Sequence, residues 1–561
     1  MIRQTEVDGV RTLVVPYSGP MRAGLAFRVG FADEPLPRRG ITHLVEHLAL
    51  HRHGQVDHHA NASTSLTTTH FFTSGTPAEV VAYLTAVCES LANLPMDRLP
   101  VEKSVLRTEE AGRGISSLPM WRHGAIGYGT AGYPEWGLDA LGPDDLRHWV
   151  ATRFTRENVV LWIAGDVPPD LRLGLPSGPV NPMPTLTSAL PTTPAFYAES
   201  GGNVAFSGLV RRGPRAELFA DLLERVLFRA LRHEDGNSYS PSAVAMALDT
   251  ELTQVMGFAD ALPEKQAAVL GGFVDVLAAL RVGRIDEADF AAVRTKALAA
   301  FDRPDAEADF LPRAAGGLLI GRPWSGVTEL REEFAAITVQ DMQAVAQEAM
   351  STGLLQVPEG LAADWAGFAQ APLFSTMAVH GNSHASRQHK GRSLVLGGEG
   401  VSLVTGDGTV TVMFRDCVAM RCWPDGARQL FGADGFNISV EPTMYEMPPT
   451  AIGWLDAQVR PEARIPMPAR ASVPQPTSQP TAQSVAAVAA PRRTRSVINR
   501  IGMVLFGLAA AFFVLLAVFG TASLATDAQS DLEPDGVIIL WVLVAATAGP
   551  FALLYFRGRR V

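Results

Sequence analysis

Residues 40–50 read "GITHLVEHLAL", an apolar stretch interrupted by His43, Glu46 and His47. At the helical period, residues four apart share a face, so the two imidazoles stand within reach of one metal ion and Glu46 lies beside His47. Zinc accepts imidazole nitrogen at about 2.0–2.1 Å, and a catalytic site adds a third protein ligand and an open position for water. A carboxylate beside that position can take a proton from the water. The pattern is H-x-x-E-H, the reverse of H-E-x-x-H. On these five residues alone a second reading stays open, a helix whose histidines are half-buried and hold no metal.

Around this stretch the chain alternates strand and helix patterns. "RTLVVPY" and "AGLAFRVGF" (11–31) read as two strands split by "SGP", which predicts an opening β-hairpin. "ANASTSLTTTHFFTSG" (60–75), rich in Thr and Phe, reads as extended strand, while "AEVVAYLTAVCESLANL" and "VEKSVLRTEEAGRG" have helical spacing. "RENVVLWIAGDV" (156–167) reads as a buried strand ending in Gly-Asp. The same element order recurs over 203–350. The expectation is an α+β chain with two homologous α/β-sandwich units, 1–172 and 195–355. Residues 388–460 carry short apolar runs at turn spacing and predict a small all-β domain that faintly resembles PH-like domains. Residues 461–498, rich in Pro, Ala and Ser, predict a flexible linker.

At 561 residues the chain has room for several domains of roughly 100–200 residues each. Its net charge of -10 argues against a nucleic-acid partner, which needs a basic face. Three cysteines, Cys88, Cys417 and Cys422, fit a reducing compartment better than a disulfide framework. The polar start lacks the apolar run a cleavable export signal needs, so cleavable export is not expected. Two charge-free runs, 501–524 and 537–556, are each long enough to cross a bilayer as a helix of about 20 residues, which places transmembrane helices at 499–524 and 536–556. Arginines flank the pair on its outer sides and the intervening loop is acidic. The positive-inside rule then predicts a cell-membrane hairpin with the N-terminal body and the C-terminus in the cytosol.

Several segments around the motif carry a family resemblance. "VGFADEP" (29–35) looks like a strand-ending Gly with an Asp-Glu-Pro step, and "NASTSLTTTHFF" (61–72) is similar to a substrate-binding strand. "VEKSVLRTEEAG" looks like a helix supplying a third ligand, and "LGPDDLRHWVATRFTRENVVLWIAGDV" (141–167) like a closing helix-strand segment. Together, over roughly residues 8–350, they resemble the insulinase/pitrilysin family of zinc peptidases, including the mitochondrial processing peptidase type, most strongly in the N-terminal half.

The resemblance implies Zn2+ held by His43, His47 and Glu109, with Glu46 as general base and Glu102 as a supporting carboxylate. Glu102 and Glu109 are seven apart and share a helix face, whereas Glu110 points about 100° away from Glu109. It further implies that Asn61 and Ala62 bind the peptide backbone. In "LRHEDGNSY" (231–239), Arg232 and Tyr239 would hold and polarise the substrate carbonyl. One departure is the stretch "LALHRHGQVDHHA" (48–60), about a dozen residues shorter than usual in the family, with a family helix expected to be lost. Its histidines, His51, His53, His58 and His59, read as solvated loop residues. The expected function is a membrane-tethered cytosolic zinc metallopeptidase that hydrolyses extended peptides through a Glu-activated zinc-bound water. Its expected partner is a second copy or a related chain. Two alternatives stand beside it: a catalytically inactive subunit acting as a membrane scaffold, and a dedicated maturation protease for a small secreted peptide.

Overall fold

The computed structural model describes residues 2–51, 60–112 and 114–476. Its first unit contains β1 (Arg3–Val7), β2 (Val10–Val15), β3 (Met21–Phe27), α1 (Ile41–Leu50), β4 (Ala60–Thr64) and β5 (Thr69–Gly75). There follow α2 (Pro77–Ala92), α3 (Leu99–Gly112), α4 (Leu118–His123), α5 (Pro143–Arg153) and β6 (Val159–Ala164). The strands form one sheet in the order β1-β2-β6-β3-β5-β4. Every residue of β6 is buried, as expected of a continuous apolar run with both faces covered.

The strand pairing departs from two sequence expectations. β2 and β3 do not form a hairpin, because β6 is inserted between them, parallel to β2 and antiparallel to β3. The opening hairpin is β1–β2 instead, turning at Asp8 and Gly9, both at positive φ as a tight two-residue turn requires. The segment 60–75 is two strands, not one. β4 and β5 pair antiparallel through a turn in which the Ser65 and Thr68 hydroxyls hydrogen-bond.

The second unit repeats this topology. β7 (Ala195–Glu199), β8 (Val204–Arg211), α6 (Pro214–Leu227), β9 (Ser242–Ala247) and β10 (Leu252–Ala259) precede a helical run. That run comprises α7 (Gln266–Arg281), α8 (Glu287–Phe301), α9 (Ala306–Asp309), α10 (Leu311–Leu319), α11 (Val327–Ala335) and α12 (Val339–Ser351). β11 (Leu354–Pro358) and β12 (Ala369–Gln370) close the unit in the sheet order β12-β7-β11-β8-β10-β9. Setting β7, β8, β9, β10 and β11 on β2, β3, β4, β5 and β6 reproduces every neighbour and every strand direction.

The units also exchange cover. Leu311 and Ala315 of α10 pack on the first sheet with Leu13, Val160 and Trp162. In return, α4 of the first unit lies on the second sheet, where Trp121 stacks on Tyr197 with ring centroids 4.8 Å apart.

The C-terminal β-domain holds β13 (Gly381–Ala385), β14 (Ser393–Gly397), β15 (Gly400–Val404) and β16 (Thr409–Met413) in one antiparallel sheet. β17 (Cys417–Cys422), β18 (Arg428–Gly432), β19 (Asn437–Val440), α13 (Thr450–Gln458) and β20 (Arg464–Pro466) follow, with a second sheet in the order β19-β18-β17-β20. The domain is therefore not all-β, since Ala451 and Leu455 of α13 are part of its core. Nor does the linker begin at 461. Ile465 of β20 is fully buried beside β17, and Arg470 pairs with both Asp425 and Glu441. Among the described residues no helix is long and apolar enough to cross a membrane. The expected transmembrane hairpin, residues 477–498 of the linker, and His53, His58 and His59 of the shortened stretch lie outside the described residues.

Candidate metal centre

Helix α1 is buried along nearly its whole length, and its N-terminus is fixed by charge. Glu34, from the Asp-Glu-Pro step, accepts hydrogen bonds from the backbone N–H of Gly40 (3.0 Å) and Thr42 (2.8 Å). A carboxylate is favoured there because the first turn of a helix leaves its N–H groups without partners. The same carboxylate accepts from Arg39 Nη1 at 2.7 Å, and both side chains are buried. Arg39 in turn lies over the Phe31 ring, which meets His43 edge-on. One residue earlier in the step, Asp33 receives both terminal nitrogens of the buried Arg28 at 2.8 Å.

His43 and His47 therefore project from a rigid element toward α3. His43 Nε2 is 3.6 Å from Glu109 Oε2, and His47 Nε2 is 3.6 Å from Glu109 Oε1. The donor atoms of the three residues all lie within 4.8 Å of one another, and no other such group occurs among the described residues. Tetrahedral zinc with ligands at about 2.0–2.1 Å separates neighbouring donors by about 3.3 Å. The two imidazole–carboxylate separations of 3.6 Å are close to that spacing, so two imidazoles and a carboxylate fit the ion.

The other ring nitrogens are occupied. Glu102 Oε2 is 3.4 Å from His47 Nδ1 and the same carboxylate accepts from Arg98, while Glu135 Oε1 is 3.1 Å from His43 Nδ1. A carboxylate on Nδ1 holds the proton there and leaves Nε2 as the ligating atom, an arrangement typical of zinc histidines. Glu102, expected as a supporting carboxylate, lies beside the His47 Nδ1 nitrogen. No sequence signal marks Glu135. It sits in a loop, "YPEWG", with no periodic pattern, and no local spacing links it to His43. Glu110, set aside as a ligand, has a different contact: its Oε1 accepts the backbone N–H of Glu135 at 2.6 Å.

Glu46 is buried and accepts from Thr64 Oγ1 at 2.5 Å. Burial pushes its carboxyl above the ordinary range, opposed by the Thr64 hydrogen bond and by His43 and His47, and reinforced by Glu109. Thr64 ends β4, which is the edge of the first sheet. On that edge Asn61 is exposed and Ala62 buried; Asn61 Oδ1 accepts the Ala62 N–H at 2.8 Å, and Tyr83 donates to the Asn61 carbonyl at 2.7 Å.

Arg232 and Tyr239 are brought together in the second unit, after α6 passes into a π-helical turn over Phe228–Glu234. The Arg232 guanidinium lies over the rings of Phe228 (4.8 Å) and Tyr239 (4.9 Å). Tyr239 is 73% exposed, and its backbone N–H donates to Asp260. The two are thus placed against each other and beside Asp260. His51, the first of the loop histidines, is exposed.

No family model matches the chain, and no curated protein matches it. Solved structures do. A protease from Helicobacter pylori matches with 18% identity and a TM-score of 0.52, over 64% of this chain and 99% of that one. A peptidase M16 inactive domain from Pseudomonas fluorescens matches with 13% identity and a TM-score of 0.53, over 66% of this chain and all of that one. The periplasmic protease PqqL from Escherichia coli matches with 13% identity and a TM-score of 0.50, covering 77% of this chain. This chain spans 55% of the length of that protease. These are likenesses of fold alone, shared with two proteases and with one inactive M16 peptidase domain.

Proposed function

We propose that this chain is a zinc metallopeptidase that cleaves extended peptides. The observation that carries the reading is the convergence of His43, His47 and Glu109 beside a buried Glu46, each imidazole backed by its own carboxylate. Zinc held by those three side chains would supply a Lewis acid for the scissile carbonyl and acidify a water beside it. Glu46 then takes the proton from the attacking water. The same carboxylate then delivers that proton to the leaving amine as the C–N bond breaks. Thr64 fixes the carboxylate's direction.

Peptide is received along β4. An edge strand offers unpaired backbone groups to an incoming strand, which adds to the sheet by main-chain hydrogen bonding. Asn61 and Ala62 lie on that edge, with Thr64 tying its end to the base. Arg232 and Tyr239 are the proposed holders of the substrate carbonyl, brought to it by closure against a second copy or a related chain. The apolar runs 501–524 and 537–556, with their flanking arginines, support a membrane tether for a cytosolic body.

The test is hydrolysis of a quenched-fluorescence peptide library by the full chain and by Glu46→Gln. The expected result is cleavage by wild type and a loss of about 10²–10⁴-fold in the variant. Cleavage unchanged in the variant would reject Glu46 as base, and no cleavage by a zinc-loaded wild type would favour the scaffold subunit.

A further inference from the structure

Glu135 lies in the segment Tyr133–Gly137, which is held from two sides. On one side it touches α1. Gly40, at the N-terminus of α1 with φ +98°, leaves room that a Cβ would fill to within 3.0 Å of Glu135 Cβ. A Cβ on Gly137 would fall 2.7 Å from the backbone of Arg38 and Arg39. The loop is therefore seated on the chain that enters the metal-binding helix, and Glu110 pins its backbone from α3.

On the other side it meets the C-terminal β-domain. Phe431 of β18 lies 4.9 Å from the Trp136 ring and 5.9 Å, edge-on, from Tyr133. The Arg421 guanidinium of β17 covers Trp136 at 4.5 Å. Ala419, Phe431 and Ile465 form one buried cluster with Tyr133, Leu36 and Ala125. The contact extends to the backbone: the Ala125 N–H donates to the Ala433 carbonyl at 3.0 Å, where Gly124 leaves no space for a side chain.

We propose that Glu135 is a positioning residue for His43 and that the β-domain is its support. In this arrangement the domain buttresses the metal site, acting through Phe431 and Arg421 on Tyr133 and Trp136, and through Glu135 on the His43 imidazole. The carboxylate keeps the His43 proton on Nδ1, so that Nε2 faces Glu109 as a ligand. Removing such an outer carboxylate typically weakens metal binding by about 10–100-fold. A perturbation at the domain contact acts through the same residue, so its effect and that of losing Glu135 are not additive.

The inference rests on the proposed zinc site, and two measurements on the full chain separate its failure from a failure of that reading. The first is zinc affinity by competition with a chromophoric chelator. Glu135→Gln is expected to weaken binding by about 10–100-fold. Phe431→Ala and the milder Arg421→Gln are expected to weaken it in the same direction, and Glu135→Gln/Phe431→Ala to bind no more weakly than Glu135→Gln alone. The second needs no metal: histidine 15N NMR of the metal-free protein, in which His43 carries its proton on Nδ1 in wild type and loses that preference in Glu135→Gln. A wild type that binds no zinc overturns the metal reading and leaves the tautomer result to judge Glu135. Zinc affinity within twofold of wild type in Glu135→Gln, with the tautomer unchanged, overturns the positioning role. Unchanged affinity in both Phe431→Ala and Arg421→Gln, or multiplying losses in the double variant, overturns the role of the β-domain.

Discussion

Glu34→Gln removes one charge from a buried pair without changing side-chain size. Glu34 is 1% exposed and Arg39 5%. In the variant the amide can still accept from Thr42 through one oxygen, but its NH2 group faces two donors, Arg39 Nη1 and the Gly40 N–H. Breaking one side of a buried ion pair costs about 3–5 kcal/mol. Because the charge also satisfies the first turn of α1, we expect the loss to concentrate in that helix, at about 4 kcal/mol. With tenfold per 1.4 kcal/mol, amide protection over Leu44–Leu48 falls by about 10³-fold in hydrogen exchange. Arg39→Met added to Glu34→Gln should recover part of it, because the uncompensated guanidinium is then gone. Exchange within threefold of wild type in Glu34→Gln would refute the reasoning, since the carboxylate would then not hold the helix that carries both histidines.

Thr64→Val deletes the hydroxyl that donates to Glu46. A hydrogen bond to a charged group contributes about 1.5–3 kcal/mol, so kcat should fall by about 10–100-fold with zinc content unchanged, and full activity would contradict the assignment. His70 is half-buried, its Nε2 accepts from Trp162 Nε1 at 2.7 Å, and the loss of solvent around the ring lowers its pKa to about 4. The folded state thus binds this proton less well than the unfolded chain, so the stability it confers is complete above about pH 6.5 and is lost as pH falls toward 4, by about 3 kcal/mol. His70→Gln should flatten that part of the thermal-stability profile, and an acid loss as steep as in wild type would count against it. Phe71→Ala, which empties a fully buried site beside Phe27, should cost about 3–5 kcal/mol, read as faster exchange across β5; a change below 1 kcal/mol would show a core able to collapse into the space.

What the sequence made legible was local. α2 and α3 show their period and β6 its apolar run, and the 43–47 and 102–109 spacings bring four side chains to one place. Contacts made across long stretches of chain left no local mark. β6 enters the sheet between β2 and β3 from more than 130 residues away, and nothing near "SGP" announces it. The true hairpin signal was the Asp8-Gly9 pair, whose positive φ values outweigh the longer apolar alternation that followed. Glu135 was hidden for the same reason, since it reaches His43 from an aperiodic loop braced by a domain some 300 residues downstream. β20 was concealed by composition: one buried Ile465 in a Pro-rich stretch is enough for a strand to pair with β17.

The proposed function depends on His43, His47 and Glu109 holding one zinc ion. Its most direct test is the metal content of the purified full chain, measured by elemental mass spectrometry for wild type and for Glu109→Gln after dialysis against a weak chelator. One zinc per wild-type chain and a large loss in the variant are expected. A wild type without zinc, or a variant that retains it in full, would rule out these three residues as the zinc ligands.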